Sequence, residues 1–378
     1  MERRLRVIQV INVRWFNATA WYGLSLAGLL QDAGHEVRVL GLAGTESFAR
    51  AESMGLNVTP LQLNTLNPLR LPAVMRKMTT LLKAFQPHVV NCHRGEGTVL
   101  WGLCKAMGHP FALVRTRGDQ RPPKGSVPNR HLHTRLVDAL VATNSRTAEQ
   151  CRARLGLGDN RLFTIVGGVD TQRFRPDPEG RAAVRQRYGF TDTDRVIGLL
   201  GRFDFVKGQK ELLDAVARMP RDGGPSPKIM LMGFPTAISR ETVEGWVQEA
   251  GLGGRVVLTG KVEDVTAHIN AMDLGVIASQ GSEAIARAAF EIMACGVPLV
   301  GTDVGVMPDL LTPDALAPVG DSEALMELLR KGVCDASFLT SLRERQHGRM
   351  PLFSDAAFLE RTLDVYYAAT PIRRVQGR

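Results

Sequence analysis

Short apolar runs that close on Gly, Asn or Asp alternate along this chain with longer stretches in which apolar residues recur at helical spacing. That alternation predicts βαβ units built on a parallel sheet. In the first half the strand-like runs are residues 7–13, 37–40, 89–92, 113–116 and 139–143. After the loop Gly167-Gly168-Val169-Asp170 and the passage Arg173-Phe174-Arg175-Pro176 comes a polar stretch, and a second series opens at 196–201. It continues at 228–233, 256–260, 274–279 and 298–302. The pattern predicts an α/β protein of two Rossmann-like domains, 1–175 and 176–354, with a C-terminal helix at about 355–378 completing the first. A length of 378 residues agrees, since one domain holds roughly 100–200.

Sheets of this kind bind ligands beyond the carboxyl ends of their strands, and two such domains facing one another would form an interdomain cleft. Neither half carries G-x-G-x-x-G, so a nicotinamide-dependent dehydrogenase is disfavoured. With 44% hydrophobic and 22% charged residues the chain should fold. Five cysteines without a C-x-x-C pair indicate neither a disulfide framework nor a zinc site, and point to the reducing cytoplasm. The opening MERRLRVIQVINV reads as a strand rather than a signal peptide, and no run of about 20 apolar residues predicts a membrane span.

Charge divides unevenly: residues 1–175 hold 24 Lys and Arg against 11 Asp and Glu, and residues 176–378 hold 23 against 27. The first half is therefore about +13 and the second about −4. A basic half suits nucleic acid, an anionic membrane surface or a phosphorylated substrate. Its densest part runs from Arg115 through Arg117, Asp119, Arg121 and Lys124 to Arg130, His131, His133 and Arg135, and contains no aromatic residue. Nucleic-acid surfaces usually add stacking aromatics. A phosphorylated acceptor or anionic lipid head group is thus preferred over nucleic acid, with Arg117, Asp119, Arg121, Lys124 and Arg130 as acceptor-side candidates. An ordinary solvated basic loop would show the same spacing. The aromatic stretch Trp15, Phe16, Trp21 and Tyr22 after the first strand is read as core or lid.

Two passages in the second half suit an anionic ligand. Gly201-Arg202-Phe203-Asp204-Phe205-Val206-Lys207-Gly208-Gln209 puts two cations at a strand end ahead of a helix, where amides, macrodipole and side chains together favour a diphosphate; a solvated basic loop would read the same way. Glu283 and Glu291 bracket a stretch of helical character. Were both helical, they would lie roughly 12 Å apart on nearly one face, reaching from a sugar to a ribose. A surface helix laced by Glu283, Arg287 and Glu291 has the same spacing.

G-R-x5-K-G followed by S-E-x7-E-x-M-A-C-G-x-P-x-V-G-T-D-x-G resembles the retaining family 4 (group 1) glycosyltransferases of GT-B fold. Gly167-Gly168-Val169-Asp170 with Phe174 and Pro176 resembles that family's interdomain passage, and Gly320-Asp321 adds to the likeness. The resemblance implies retaining transfer from a nucleotide sugar, without a metal or other cofactor. Arg202 and Lys207 would neutralise the diphosphate, Glu283 would contact the sugar and Glu291 would hold the ribose. Gly201, Gly233, Ser282, Ala284, Ile285 and Ala286 complete the implied donor site. Ala284 and Ile285 stand where glycines are frequent, and their backbone amides can still serve. The family's T-x-H-D element corresponds to Thr116-Arg117-Gly118-Asp119, which lacks the histidine. His93, after the strand at 89–92, is the candidate substitute.

The sequence thus predicts a cytoplasmic glycosyltransferase, peripheral on the inner face of the membrane. It would act on a lipopolysaccharide-core or other lipid-linked, phosphorylated acceptor, like bacterial enzymes of that kind. A nucleotide-sugar 2-epimerase of the same fold, or a non-catalytic nucleotide-sugar or anionic-lipid binder, are the alternatives.

Overall fold

The computed structural model describes residues 4–63, 69–119, 121–220, 226–281 and 283–370. The chain forms two compact units, Met1–Gly167 with Asp355–Arg378, and Gly168–Ser354.

Unit 1 runs β1 (Arg6–Ile11), α1 (Ala18–Asp32), β2 (Glu36–Gly41), α2 (Glu46–Ser53), β3 (Val58–Pro60), α3 (Leu71–Phe85), β4 (Val89–Cys92), α4 (Gly95–Ala106), β5 (Ala112–Arg117), α5 (Val127–His131), β6 (Ala139–Ala142), α6 (Ser145–Leu155) and β7 (Leu162–Thr164). All pairings are parallel, in the order β3-β2-β1-β4-β5-β6-β7. The central strands are almost wholly buried, as a sheet covered on both faces requires. Asn17 starts α1 by accepting from the Ala20 amide, and Asn144 starts α6 by accepting from Thr147, each meeting a donor the helix cannot satisfy itself. One core joins Met78, Leu82 and Phe85 of α3, Trp101 and Cys104 of α4, and Leu132 in the single π-helical turn that follows α5.

Unit 2 runs α7 (Pro178–Arg187), β8 (Val196–Leu200), α8 (Gln209–Ala217), β9 (Lys228–Met232), α9 (Arg240–Glu249), β10 (Val256–Gly260), α10 (Val265–Asn270), β11 (Leu274–Ile277), α11 (Arg287–Ala294), β12 (Leu299–Thr302), α12 (Met307–Leu310), β13 (Leu316–Ala317), α13 (Ser322–Cys334) and α14 (Ala336–Arg349). Its parallel sheet has the order β10-β9-β8-β11-β12-β13. Residues 168–175, grouped with the first domain on the sequence pattern, belong to this unit instead. The Val169 amide donates to the Phe353 carbonyl (2.9 Å), and Asn270 donates to the Arg175 carbonyl (3.0 Å). After Ser354 the chain returns to unit 1 as α15 (Asp355–Ala369); residues 371–378, the end of the helix expected at 355–378, lie outside the described residues.

Candidate functional site

Each sheet reverses its strand order once, between β1 and β4 in unit 1 and between β8 and β11 in unit 2. The loops leaving such a pair part in opposite directions, and the crevice between them is where open α/β sheets take ligands.

In unit 2 the loop after β8 and the loop after β11 are joined across this crevice. The Gln280 amide donates to the Val206 carbonyl (2.9 Å), and Gly208, at φ +76°, lies so close that a Cβ there would fall 1.9 Å from the Ala278 oxygen. Lys207 Nζ meets Glu283 Oε1 at 2.5 Å, although 76 residues separate them. Ser279 Oγ donates to the same oxygen at 2.5 Å, and its own carbonyl accepts from Thr302 at the end of β12 (2.6 Å). Glu283 is buried. Both bonds fall on Oε1, which leaves Oε2 to accept from a ligand hydroxyl. Arg202 is half exposed and pairs with Asp204 at 2.9 Å. Gly201 ends β8, and Gly233, after β9, packs its Cα against the Gly201 carbonyl.

Glu283 is not helical, contrary to the expectation that it and Glu291 share one helix. The turn at Ala286 has φ +45°, so α11 begins only at Arg287. The Glu283 carbonyl instead accepts from Val306 (2.8 Å). Ile285 and Ala286 are buried, so neither side chain is open to a ligand. Ser282 lies outside the described residues, and Ala284 is half-buried. Glu291 is helical and buried, with Arg287 Nε 2.6 Å from its Oε1. The i,i+4 pair of the alternative reading therefore exists between Arg287 and Glu291, with the carboxylate buried rather than on an open surface. Burial raises the Glu291 carboxyl above its ordinary range, against the opposing pull of Arg287 and Arg173.

In unit 1 the corresponding strand ends carry Asn12 and His93. His93 Nε2 bonds Gln9 Oε1 (2.8 Å). Gln9 and Asn91 both donate to the Tyr366 hydroxyl of α15 (3.0 and 2.8 Å), and Thr116 donates to Asn91 (2.9 Å). Burial, with the Arg115 guanidinium adding to it, pulls the imidazole down from 6.5 to about 3, so it is neutral at physiological pH. Its Nδ1, and both side-chain polar atoms of Asn12, are buried without a hydrogen-bond partner among the described residues. Buried polar groups left open at a switch point suit a hydroxylated ligand or ordered water. Asn12 was hidden within the strand expected at 7–13; its signal was a polar residue at a strand's carboxyl end.

The acceptor-side candidates fall into two groups. Arg117 pairs with Asp119 (3.6 Å) and donates to the Arg121 carbonyl, and Asp119 also takes Arg115 Nη2 at 3.1 Å. Lys124 and Arg130 have other contacts: the Lys124 carbonyl accepts from Asn129 (2.6 Å), and Arg130 Nε donates to the Arg154 carbonyl (3.0 Å). Arg115 and His133 are buried and do not belong to the surface charge. Arg115 instead holds the Cys92 and Thr116 carbonyls (2.9 and 2.5 Å). Of the aromatics after β1, Tyr22 is core, its hydroxyl donating to the Ile165 carbonyl (3.0 Å), whereas Trp15 is 73% exposed.

Two Rossmann-like parallel sheets, one with a cationic crevice at its switch point, define a protein of the GT-B glycosyltransferase class. Residues 20–173 match the family model Glycosyltransferase Family 4, and residues 180–347 match Glycosyl transferases group 1. The chain belongs to this glycosyltransferase family. It is 32% identical over 181 residues to the lipopolysaccharide core biosynthesis mannosyltransferase LpsB of Rhizobium meliloti, covering 47% of this chain and 49% of that one. It is 30% identical over 222 residues to a D-inositol 3-phosphate glycosyltransferase of Xylanimonas cellulosilytica, covering 54% and 51%. The chain thus spans about half the length of these curated relatives. The crystal structure of Anabaena HepE in complex with UDP superposes with a TM-score of 0.84 at 18% identity, covering 96% of this chain and all of that one.

Proposed function

We propose that this chain is a retaining glycosyltransferase that moves a sugar from a nucleotide-sugar donor to an anionic acceptor, a lipopolysaccharide-core or other lipid-linked, phosphorylated one. The observation that carries the donor half is the meeting of Lys207 and Glu283 at the β8/β11 switch point, with Arg202 beside them. As the sugar leaves, negative charge gathers on the distal phosphate. Arg202 and Lys207 stabilise that charge more in the transition state than in the ground state, in the role a metal ion has in other transferases. Glu283 Oε2 accepts from sugar hydroxyls, and Glu291 turns from Arg287 to the ribose diol. The UDP bound to HepE supports a nucleotide donor. Retention of configuration rests on the family resemblance.

The acceptor half rests on the Arg117 cluster, on the open groups of Asn12 and His93, and on relatives named for a lipopolysaccharide core and an inositol phosphate. The test is nucleotide release from UDP, GDP and ADP sugars with and without lipopolysaccharide-core acceptor, with the product anomer read by NMR. Acceptor-dependent release with the donor's anomeric configuration kept, and lost in Lys207→Ala and Glu291→Ala, is expected. Conversion of a donor without acceptor would favour the epimerase, and tight binding without turnover the non-catalytic binder.

A further inference from the structure

At the amino ends of β1, β4 and β5, opposite the strand ends that carry Asn12 and His93, unit 1 holds a cavity of about 320 Å³. That volume stands at the lower end of the range of small-molecule sites, about 300–1,000 Å³. β1 is six residues long, so the cavity lies roughly 17 Å from the carboxyl end of that strand. Four basic side chains line it: Arg6 at the start of β1, Lys83 near the end of α3, His88 ahead of β4 and His109 in the turn between α4 and β5. None of the lining residues is acidic. Leu82 and Phe111, both buried, give the cavity an apolar floor.

Two of the basic groups are held in place by backbone. Arg6 Nε donates to the Gln86 carbonyl (2.8 Å). The Arg6 amide donates to His88 Nδ1 (2.9 Å), so the ring proton of His88 is on Nε2. Gln86 also lines the cavity and caps α3 at φ +47°, a position that helices usually fill with Gly or Asn. Among the described residues the other non-glycine with a positive φ is Ala286, in the loop beside Glu283. Backbone strain of this kind gathers at ligand sites.

We propose that this cavity binds a small phosphomonoester with an apolar body. The three terminal oxygens of a phosphate can accept from Arg6, Lys83 and the imidazoles together, whereas a carboxylate offers two. The apolar floor takes the carbon skeleton of the ester. Open α/β sheets place their chemistry at the carboxyl ends of the strands, so a ligand at the amino ends is neither donor nor acceptor. The inference does not depend on the transferase reading.

The test is calorimetric titration of phenyl phosphate, inorganic phosphate and benzoate into the full chain at neutral pH, for the parent, Lys83→Glu, His109→Ala and Lys207→Gln. One equivalent of phenyl phosphate should bind the parent at least about ten-fold more tightly than inorganic phosphate, which lacks the apolar body, or benzoate, which lacks the phosphate. Lys83→Glu and His109→Ala should each weaken that binding about ten-fold, and Lys207→Gln should leave it as in the parent. Lys83 is exposed, so Lys83→Glu should melt at the parent's temperature. Absence of binding, or binding unchanged in both cavity variants, would overturn the proposal. So would binding lost in Lys207→Gln, which would put the phosphate in the β8/β11 crevice, or benzoate bound as tightly as phenyl phosphate. Loss of sugar transfer leaves this measurement untouched, and absence of phenyl phosphate binding leaves the transferase reading standing.

Discussion

At the scale of single residues, the β8/β11 crevice is a set of charges held by one another. Lys207 lies on Glu283, Arg202 on Asp204 and Arg287 on Glu291, so a diphosphate and a ribose must take cations and carboxylates from existing partners. Arg287 sits on the same helix face as Glu291 and shares its carboxylate. Arg287→Ala should therefore free Glu291 for the ribose but remove a neighbouring positive charge from the phosphates. The expected outcome is weaker binding of a nucleoside diphosphate, by about three- to ten-fold, with nucleoside binding unchanged or tighter, as titration calorimetry would show. In unit 1, His93 ties stability to pH. Its folded value lies below the ordinary 6.5, so its contribution is complete above about pH 6.5 and is lost as the pH falls toward about 3. The loss reaches up to about 1.4 kcal/mol per pH unit. Urea unfolding at a series of pH values should show a shallower acid slope in His93→Gln than in the parent, and identical slopes would refute the burial argument.

Elements show what the hydrophobic pattern could and could not reveal. Most strands legible in sequence have three or more consecutive buried positions, as β4 and β11 do, whereas β10 was legible from its apolar run although none of its residues is fully buried. The edge strands β3, β7 and β13 have two or three residues each and are partly exposed, so they leave no apolar run to read. The misplacement of Glu283 on a helix has a similar cause: Ala286 is a good helix former by composition, yet its φ of +45° ends the loop there. What holds that loop is remote in sequence. Gly305, at φ +58°, lies where a Cβ would fall 2.0 Å from the Glu283 carbonyl oxygen. Gly305→Ala should push the 283–286 loop aside, costing about 2 kcal/mol or more in denaturant unfolding and abolishing tight donor binding. The return of α15 to unit 1 was visible as a helical period, but its anchor was not. Tyr366 accepts from Gln9 and Asn91, residues 357 and 275 positions away. Tyr366→Phe leaves both amides without that partner and should cost about 2 kcal/mol, read by urea unfolding.

For the whole molecule, the basic and acidic halves of the sequence correspond to different work. Residues 1–175 carry the excess of cations, whereas in unit 2 the cations of the crevice are paired with carboxylates. The candidate donor residues were legible because a resemblance named them, and the structure brings two of them, Lys207 and Glu283, together at the β8/β11 switch point. The basic stretch was only half legible, since Arg115 and His133 turn inward, and the contacts of Lys124 and Arg130 do not include Arg117. The central claim, that the β8/β11 crevice grips the diphosphate of a nucleotide donor through Lys207, is tested most directly by calorimetric titration of UDP, GDP and ADP into the parent and Lys207→Gln, with the matching nucleosides as controls. One diphosphate should bind the parent and bind the variant about 10- to 100-fold more weakly, while its nucleoside binds both alike. A diphosphate that binds parent and variant equally would contradict the account.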